Sequence, residues 1–216
     1  MLAIAAMASF TAADAQKKLN EGKVVFEISY PGMQLDPQQA AMLPSESVTY
    51  VKNGKSRTEQ KMGMGMNQVM ITDAVAKTAV TLVDMMGNKT AIKTSKEDME
   101  KEEAKAEKPT VKLLDETKEI AGYKCKKAEI TDAKGNKTTL FYTKDIEAAR
   151  GGKGPFAGID GFPMEFEMKQ PSMSIKLTAT KVVEEKVDDV MFSVPSGYKE
   201  MTMEEYKKQM GGAMGK

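Results

Sequence analysis

The side chains able to do chemistry in this sequence form a short set. There is no His and a single Cys, Cys125. A Ser-His-Asp triad, a His-ligated zinc and a paired-cysteine redox centre are therefore excluded within the chain. Cys125 sits in Tyr123-Lys124-Cys125-Lys126-Lys127; adjacent lysines can lower a thiol pKa, but a half-buried structural Cys is the favoured reading. Soft ligands are concentrated in Met62-Gly63-Met64-Gly65-Met66, and thioethers select copper(I) over hard cations. Met85, Met86, Met210 and Met214 could add to such a set. With 19 Met spread through the chain, the run reads instead as a flexible apolar loop serving as a lid, and no metal or cofactor is expected. Adjacent acids, Glu184-Glu185 and Asp188-Asp189, point apart on an extended chain and do not make the spaced pair that two-carboxylate hydrolysis needs. Gly151-Gly152-Lys153-Gly154 lacks the following Lys-Ser/Thr and the strand-to-helix context of a phosphate loop. The sequence thus points away from an enzyme.

What remains is apolar surface. Phe26, Ile28, Tyr50, Val69, Ile71, Val80, Leu82, Phe141, Phe166, Ile175 and Leu177 all fall in alternating apolar/polar runs. Such residues can line a hollow for an apolar ligand, with Met62, Met64 and Met66 above it, and abundant Met suits a surface that repacks around varied guests. They can equally form a filled core, and alternation does not choose between the two.

The elements that must position them are mainly strands. Alternation marks Lys23–Tyr30, Ser47–Val51, Arg57–Lys61, Gln68–Thr72, Thr78–Met85, Thr90–Thr94, Val111–Leu114, Tyr123–Thr131, Thr138–Thr143, Met164–Lys169, Ser172–Val183 and a short edge-like Phe192–Val194. Lys52-Asn53-Gly54-Lys55 is a hairpin signal, because Asn and Gly tolerate positive φ. Gly87-Asn88 and Ala133-Lys134-Gly135-Asn136 mark further turns. Asp36 caps a short helix over Pro37–Leu43. Ser95 and Asp98 open a charged segment, Lys96–Lys108, with no apolar face beyond Met99. Thr202-Met203-Glu204-Glu205 is a capping box for a C-terminal helix to about Met210. About ten to eleven strands with few helices predict a mainly β (α+β) fold: one curved antiparallel sheet, an open half-barrel with a few covering helices.

Length and charge bound the setting. The 216 residues suit one domain. The 32 Lys+Arg against 31 Asp+Glu leave +1, which offers no strong field for nucleic acid or an anionic membrane. Residues 1–15, MLAIAAMASFTAADA, join an apolar run to small residues at a signal-peptidase spacing. They read as a secretory signal cleaved after Ala15, truncated at its start because no basic residue precedes the run; a buried N-terminal helix is the alternative. The run is too short for the ~20 residues that span a bilayer. The expected organisation is a signal at 1–15, a β domain at 16–201, and a C-terminal helix and frayed tail at 202–216.

Four motifs carry a resemblance. Glu119-Ile120-Ala121-Gly122-Tyr123-Lys124-Cys125-Lys126-Lys127-Ala128, Phe141-Tyr142-Thr143-Lys144-Asp145-Ile146, Gly161-Phe162-Pro163-Met164-Glu165 and Val194-Pro195-Ser196-Gly197-Tyr198-Lys199 together resemble a DUF4412-like family of exported bacterial proteins of unknown function. That family is grouped with the LolA-like lipoprotein-carrier fold. The resemblance implies an open β-barrel with helices over its concave face, export to the periplasm or exterior, and a lipid or lipoprotein acyl chain as partner. A filled-core protein of the cell envelope, acting through interactions, is the competing expectation.

Overall fold

The computed structural model describes residues 18–105, 107–147, 156–169 and 173–213. The expected signal at 1–15, the Gly151–Gly154 run and Met214 lie outside these residues.

Twelve strands form a single sheet. In chain order they are β1 (Glu21–Ser29), β2 (Glu46–Lys52), β3 (Lys55–Lys61), β4 (Asn67–Asp73), β5 (Thr78–Met85), β6 (Asn88–Thr94), β7 (Thr110–Ile120), β8 (Tyr123–Thr131), β9 (Lys137–Thr143), β10 (Phe162–Lys169), β11 (Ser174–Glu184) and β12 (Lys199–Thr202). Their spatial order is β12-β6-β5-β4-β3-β2-β1-β11-β10-β9-β8-β7. All neighbours are antiparallel except β12, which lies parallel to β6. The architecture is the expected open, curved, mainly β half-barrel. Two halves of consecutive hairpins meet where β1 pairs with β11.

Turn chemistry explains the hairpins. Asn53 and Gly54 join β2 to β3 with φ of 49° and 75°, the primed-turn conformation that Asn tolerates and that Gly, lacking a Cβ, adopts without strain. Asp73 closes the β4–β5 turn by accepting from the Val75 and Ala76 amides at 2.9 and 2.8 Å. Asp132 does the same between β8 and β9 for Lys134 and Asn136.

The helices are α1 (Pro37–Met42), α2 (Lys96–Lys105) and α3 (Met203–Ala213). Each begins at its expected cap, with the reciprocal bonds of a capping box: Asp36 with Gln39, Ser95 with Asp98, Thr202 with Glu205. Neither α1 nor α2 contains a buried residue, as follows for α2 from its lack of an apolar stripe.

Two segments depart from expectation. Phe192–Val194 is no strand: Asp189–Phe192 winds into a 3₁₀ turn capped by Asp188, a residue whose carboxylate can accept from a nearby amide and so competes with extended pairing. Lys199–Thr202, with one apolar residue, is a strand; its burial of Met201 comes from pairing with β6, which no local pattern announces.

Candidate functional site

Directly opposed residues of neighbouring strands share a face of a sheet. On one face, Phe26 of β1 stands opposite Ser47 of β2, and Ser47 opposite Gln60 of β3. Thr49, Thr58 and Met70 form the adjacent row. On the other flank of β1, Ile28 opposes Leu177 and Leu177 opposes Phe166. A cavity of about 460 Å³ lies on this face, and all of these residues line it. Register shifts flank it, between Val25 and Phe26 in β1 and between Pro163 and Glu165 in β10. Bulges of this kind re-aim the side chains beside them.

The wall formed by β1, β10 and β11 is apolar. Phe26 packs against Phe162 and Phe166 with ring centroids 6.1 and 6.5 Å apart, and Phe156 meets Phe166 edge-on at 4.5 Å. Ile28, Ile175 and Leu177 extend it. Phe156 and Ile159 come from the segment before β10, so a loop rather than a helix lies against this cavity. Gly161 lets that segment approach: a Cβ there would stand 2.5 Å from the Tyr142 ring and 2.7 Å from the Thr143 carbonyl oxygen.

The wall formed by β2 and β3 is polar but uncharged: Ser47, Thr49, Ser56, Thr58 and Gln60. The Thr49 and Thr58 hydroxyls are 3.0 Å apart and hydrogen-bonded. Ser47 is 1% exposed, yet its hydroxyl has no hydrogen-bond partner among the described residues. At the rim, the Tyr30 hydroxyl donates to the Pro44 carbonyl at 2.7 Å, and burial raises its phenol above the ordinary value. Met70, 48% exposed, marks the mouth. Among the described residues no Asp, Glu, Lys or Arg lines the cavity.

Of the residues proposed from sequence, the structure brings Phe26, Ile28, Phe166, Ile175 and Leu177 together here. Val69, Ile71 and Leu82 stand on the opposite face in a second core with Ala91, and Val80 packs against it. That core is covered by Phe192, Val194 and Tyr198 of the chain's own later segment. Tyr50 also faces that way, opposite Lys23 and Arg57. Phe141 opposes Glu165 and Lys127 on the face away from the cavity, its ring 5.5 and 5.6 Å from the Lys118 and Lys127 ammonium groups. Met62, Met64 and Met66 do not line the cavity; their 3₁₀ turn at Gly63–Gly65 packs against α1. Sequence reasoning missed the hydroxyl wall, because the candidate lining was drawn from apolar and aromatic residues, and missed Phe156, Ile159 and Phe162, which lie outside the alternating runs. The apolar spacing of those three was the available signal.

Cys125 is fully buried and donates weakly to the Tyr123 carbonyl at 3.4 Å. Burial, aided by the Asp145 and Glu165 carboxylates, pushes its thiol pKa up to about 12, which disfavours a reactive thiolate. Among the described residues no cluster of three His, Cys, Asp or Glu could hold a metal, and no helix is long and apolar enough to cross a membrane.

Residues 24–205 match the family described as the N-glycanase peptide, N-terminal domain. The chain belongs to this family. It is this family, rather than the DUF4412-like one, that matches; the motifs behind the earlier resemblance mark structural features, such as the Ala121-Gly122 turn of the β7–β8 hairpin and the Gly161 contact. A solved structure of PNGF-II is 18% identical with a TM-score of 0.56, over 88% of this chain and 32% of that one. This member of the N-glycanase N-terminal family thus spans about a third of that structure's length. An uncharacterized conserved protein from Thermus thermophilus is 8% identical over 84% of this chain and 90% of that one, with a TM-score of 0.49. LprF from Mycobacterium bovis is 11% identical over 83% and 90%, with a TM-score of 0.32. At these identities the likeness to PNGF-II concerns the fold alone. No curated protein matches the chain.

Proposed function

We propose that this domain is a non-catalytic binding module of an exported protein, and that it holds the alkyl part of a lipid or a lipoprotein acyl chain in the cavity between β1, β3, β10 and β11. The observation that carries the reading is the cavity itself. Its volume of about 460 Å³ falls in the ~300–1,000 Å³ range of small-molecule sites. An aromatic and aliphatic wall of Phe26, Ile28, Phe162, Phe166 and Leu177 offers apolar area without an ion to desolvate. General acid–base catalysis needs a titratable group in reach of the reacting bond. Among the described residues the only ionisable lining side chain, Tyr30, is engaged with the Pro44 carbonyl.

The test is native mass spectrometry of the purified chain together with uptake of N-phenyl-1-naphthylamine, an uncharged apolar fluorophore. Co-purified alkyl-chain mass or saturable uptake, lost in Ile175→Trp, supports the proposal; a clean mass with no uptake overturns it. The family description favours one check on catalysis. Incubation with a denatured N-glycoprotein should release no glycan, and release would end the non-catalytic reading.

A further inference from the structure

The cavity's two walls differ in kind, and the difference specifies a ligand class. The alkyl chain has a wall of four Phe rings extended by Ile28, Ile175 and Leu177. Opposite it, Ser47, Thr49, Ser56, Thr58 and Gln60 stand in register across two adjacent strands. These side chains offer hydroxyl and amide groups that both donate and accept, and none that carries charge. The Ser47 hydroxyl is buried and unpartnered among the described residues, a state that costs free energy until a partner arrives.

An ionised headgroup would have to leave water without a counter-ion, because no cationic or anionic side chain among the described residues lines the cavity. A neutral hydroxyl or amide headgroup loses less on entry and can satisfy Ser47. Burial raises the Tyr30 phenol as well, so among the described residues the lining carries no charge across the physiological range.

Resting on the binding reading above, we infer that the cavity selects uncharged amphiphiles, an alkyl chain bearing a hydroxyl- or amide-containing headgroup, over ionised fatty acids. The headgroup bonds to the Ser47 side of the β2–β3 wall while the chain lies along Phe26, Phe166 and Leu177.

The experiment is displacement of N-phenyl-1-naphthylamine from the full chain at pH 8 by 1-monolaurin and by laurate, each kept below its aggregation concentration. We expect monolaurin to bind at least ~10-fold more tightly, about 1.4 kcal/mol. Laurate should tighten as the pH falls and its own carboxylate protonates. Ser47→Ala should weaken monolaurin about 5- to 10-fold, and by several-fold more than it weakens laurate or the fluorophore. Thr58→Val, close in shape, tests the same wall should Ser47→Ala fold poorly. Equal binding of the two amphiphiles, tighter binding of laurate, or no effect of either variant on monolaurin overturns the headgroup assignment and leaves the binding reading intact. Failure of the fluorophore and of both amphiphiles to bind overturns the binding reading and this inference with it.

Discussion

Two of the apolar clusters on the sheet differ in what adjoins them: one is covered by a later segment of the chain, and the other borders a cavity. Around β4–β6, Val69, Ile71, Leu82 and Ala91 are capped by Phe192, Val194 and Tyr198. That cap is fastened by charged groups. Lys52 donates to the Val187 carbonyl at 2.7 Å and pairs with Asp189 at 3.0 Å. Arg57 donates to the Met191 carbonyl at 2.9 Å, and Glu21 accepts from the Val187 amide at 2.8 Å. Around β1, β10 and β11, by contrast, Phe26, Ile28 and Leu177 belong to the large core with Val24, Val51, Phe162 and Met164, Phe166 packs on that core and shares a cluster with Phe156 and Ile159, and a cavity lies beside them. An apolar patch closed by the chain's own residues contributes to stability; one left partly open can be completed by a guest. The difference teaches that room for a ligand arises where packing stops short.

The comparison can be broken most directly with matched truncations. Leu82, 1% exposed in the closed core, should cost about 2–5 kcal/mol as Leu82→Ala, the range for buried Leu, with binding of N-phenyl-1-naphthylamine retained. Leu177→Ala, beside the cavity, should cost clearly less in urea unfolding and weaken fluorophore binding several-fold. Equal destabilisation by the two would mean that both faces are packed alike. A smaller effect is expected from Arg57→Met, which removes the bond to Met191: about 1–3 kcal/mol, with faster amide exchange confined to residues 187–194. Unchanged exchange there would show that the cap does not depend on this arginine.

The face away from the cavity supplies a third contrast. Burial raises the Glu165 carboxyl's pKa, but the hydrogen bond and charge of Lys118, the charge of Lys176 and the Thr178 hydroxyl outweigh it, and the group titrates below its ordinary value of 4.5. Lys118 reaches it at 2.8 and 3.0 Å. A carboxyl held low in the folded state adds stability that is present above its unfolded-state pKa and lost as pH falls through the folded one. Chemical denaturation from about pH 5 downward should therefore show a shallower loss for Glu165→Gln than for the parent chain, while binding of the neutral fluorophore stays flat over the same range. A parallel loss in both proteins would place the acid sensitivity elsewhere. The smallest expected effect is at Cys125: iodoacetamide at pH 8 should leave it unmodified in the folded chain and alkylate it in urea, and rapid native labelling would contradict its burial.

Most of the strand count, the three helix caps and the Asn53-Gly54 turn were legible in the chain, because each depends on residues within a few positions of one another. The site was legible in part. Phe26, Ile28, Phe166, Ile175 and Leu177 were found because a two-residue period names the members of a face. Tyr50, Val69 and Leu82 were grouped with them because the same period does not say which of the two faces a strand turns to the cavity. That decision lies in the register Phe26–Ser47–Gln60, set by the β1–β2 pairing and the β2–β3 hairpin. It also made Ser47 and Thr49, which no local pattern singles out, into a cavity wall.

The sequence by itself therefore determined the alternation, the turns, the caps and the exclusion of His- and disulfide-based chemistry, all properties of composition and short range. Only the tertiary structure decided that β12 joins β6, that residues 187–198 close one face, and that the other keeps a cavity with one greasy and one hydroxylated wall. Those outcomes depend on pairings between separate segments, from β1–β2 to the far more distant β1–β11 and β6–β12, whose free energy comes from surface buried jointly and is written in neither segment alone.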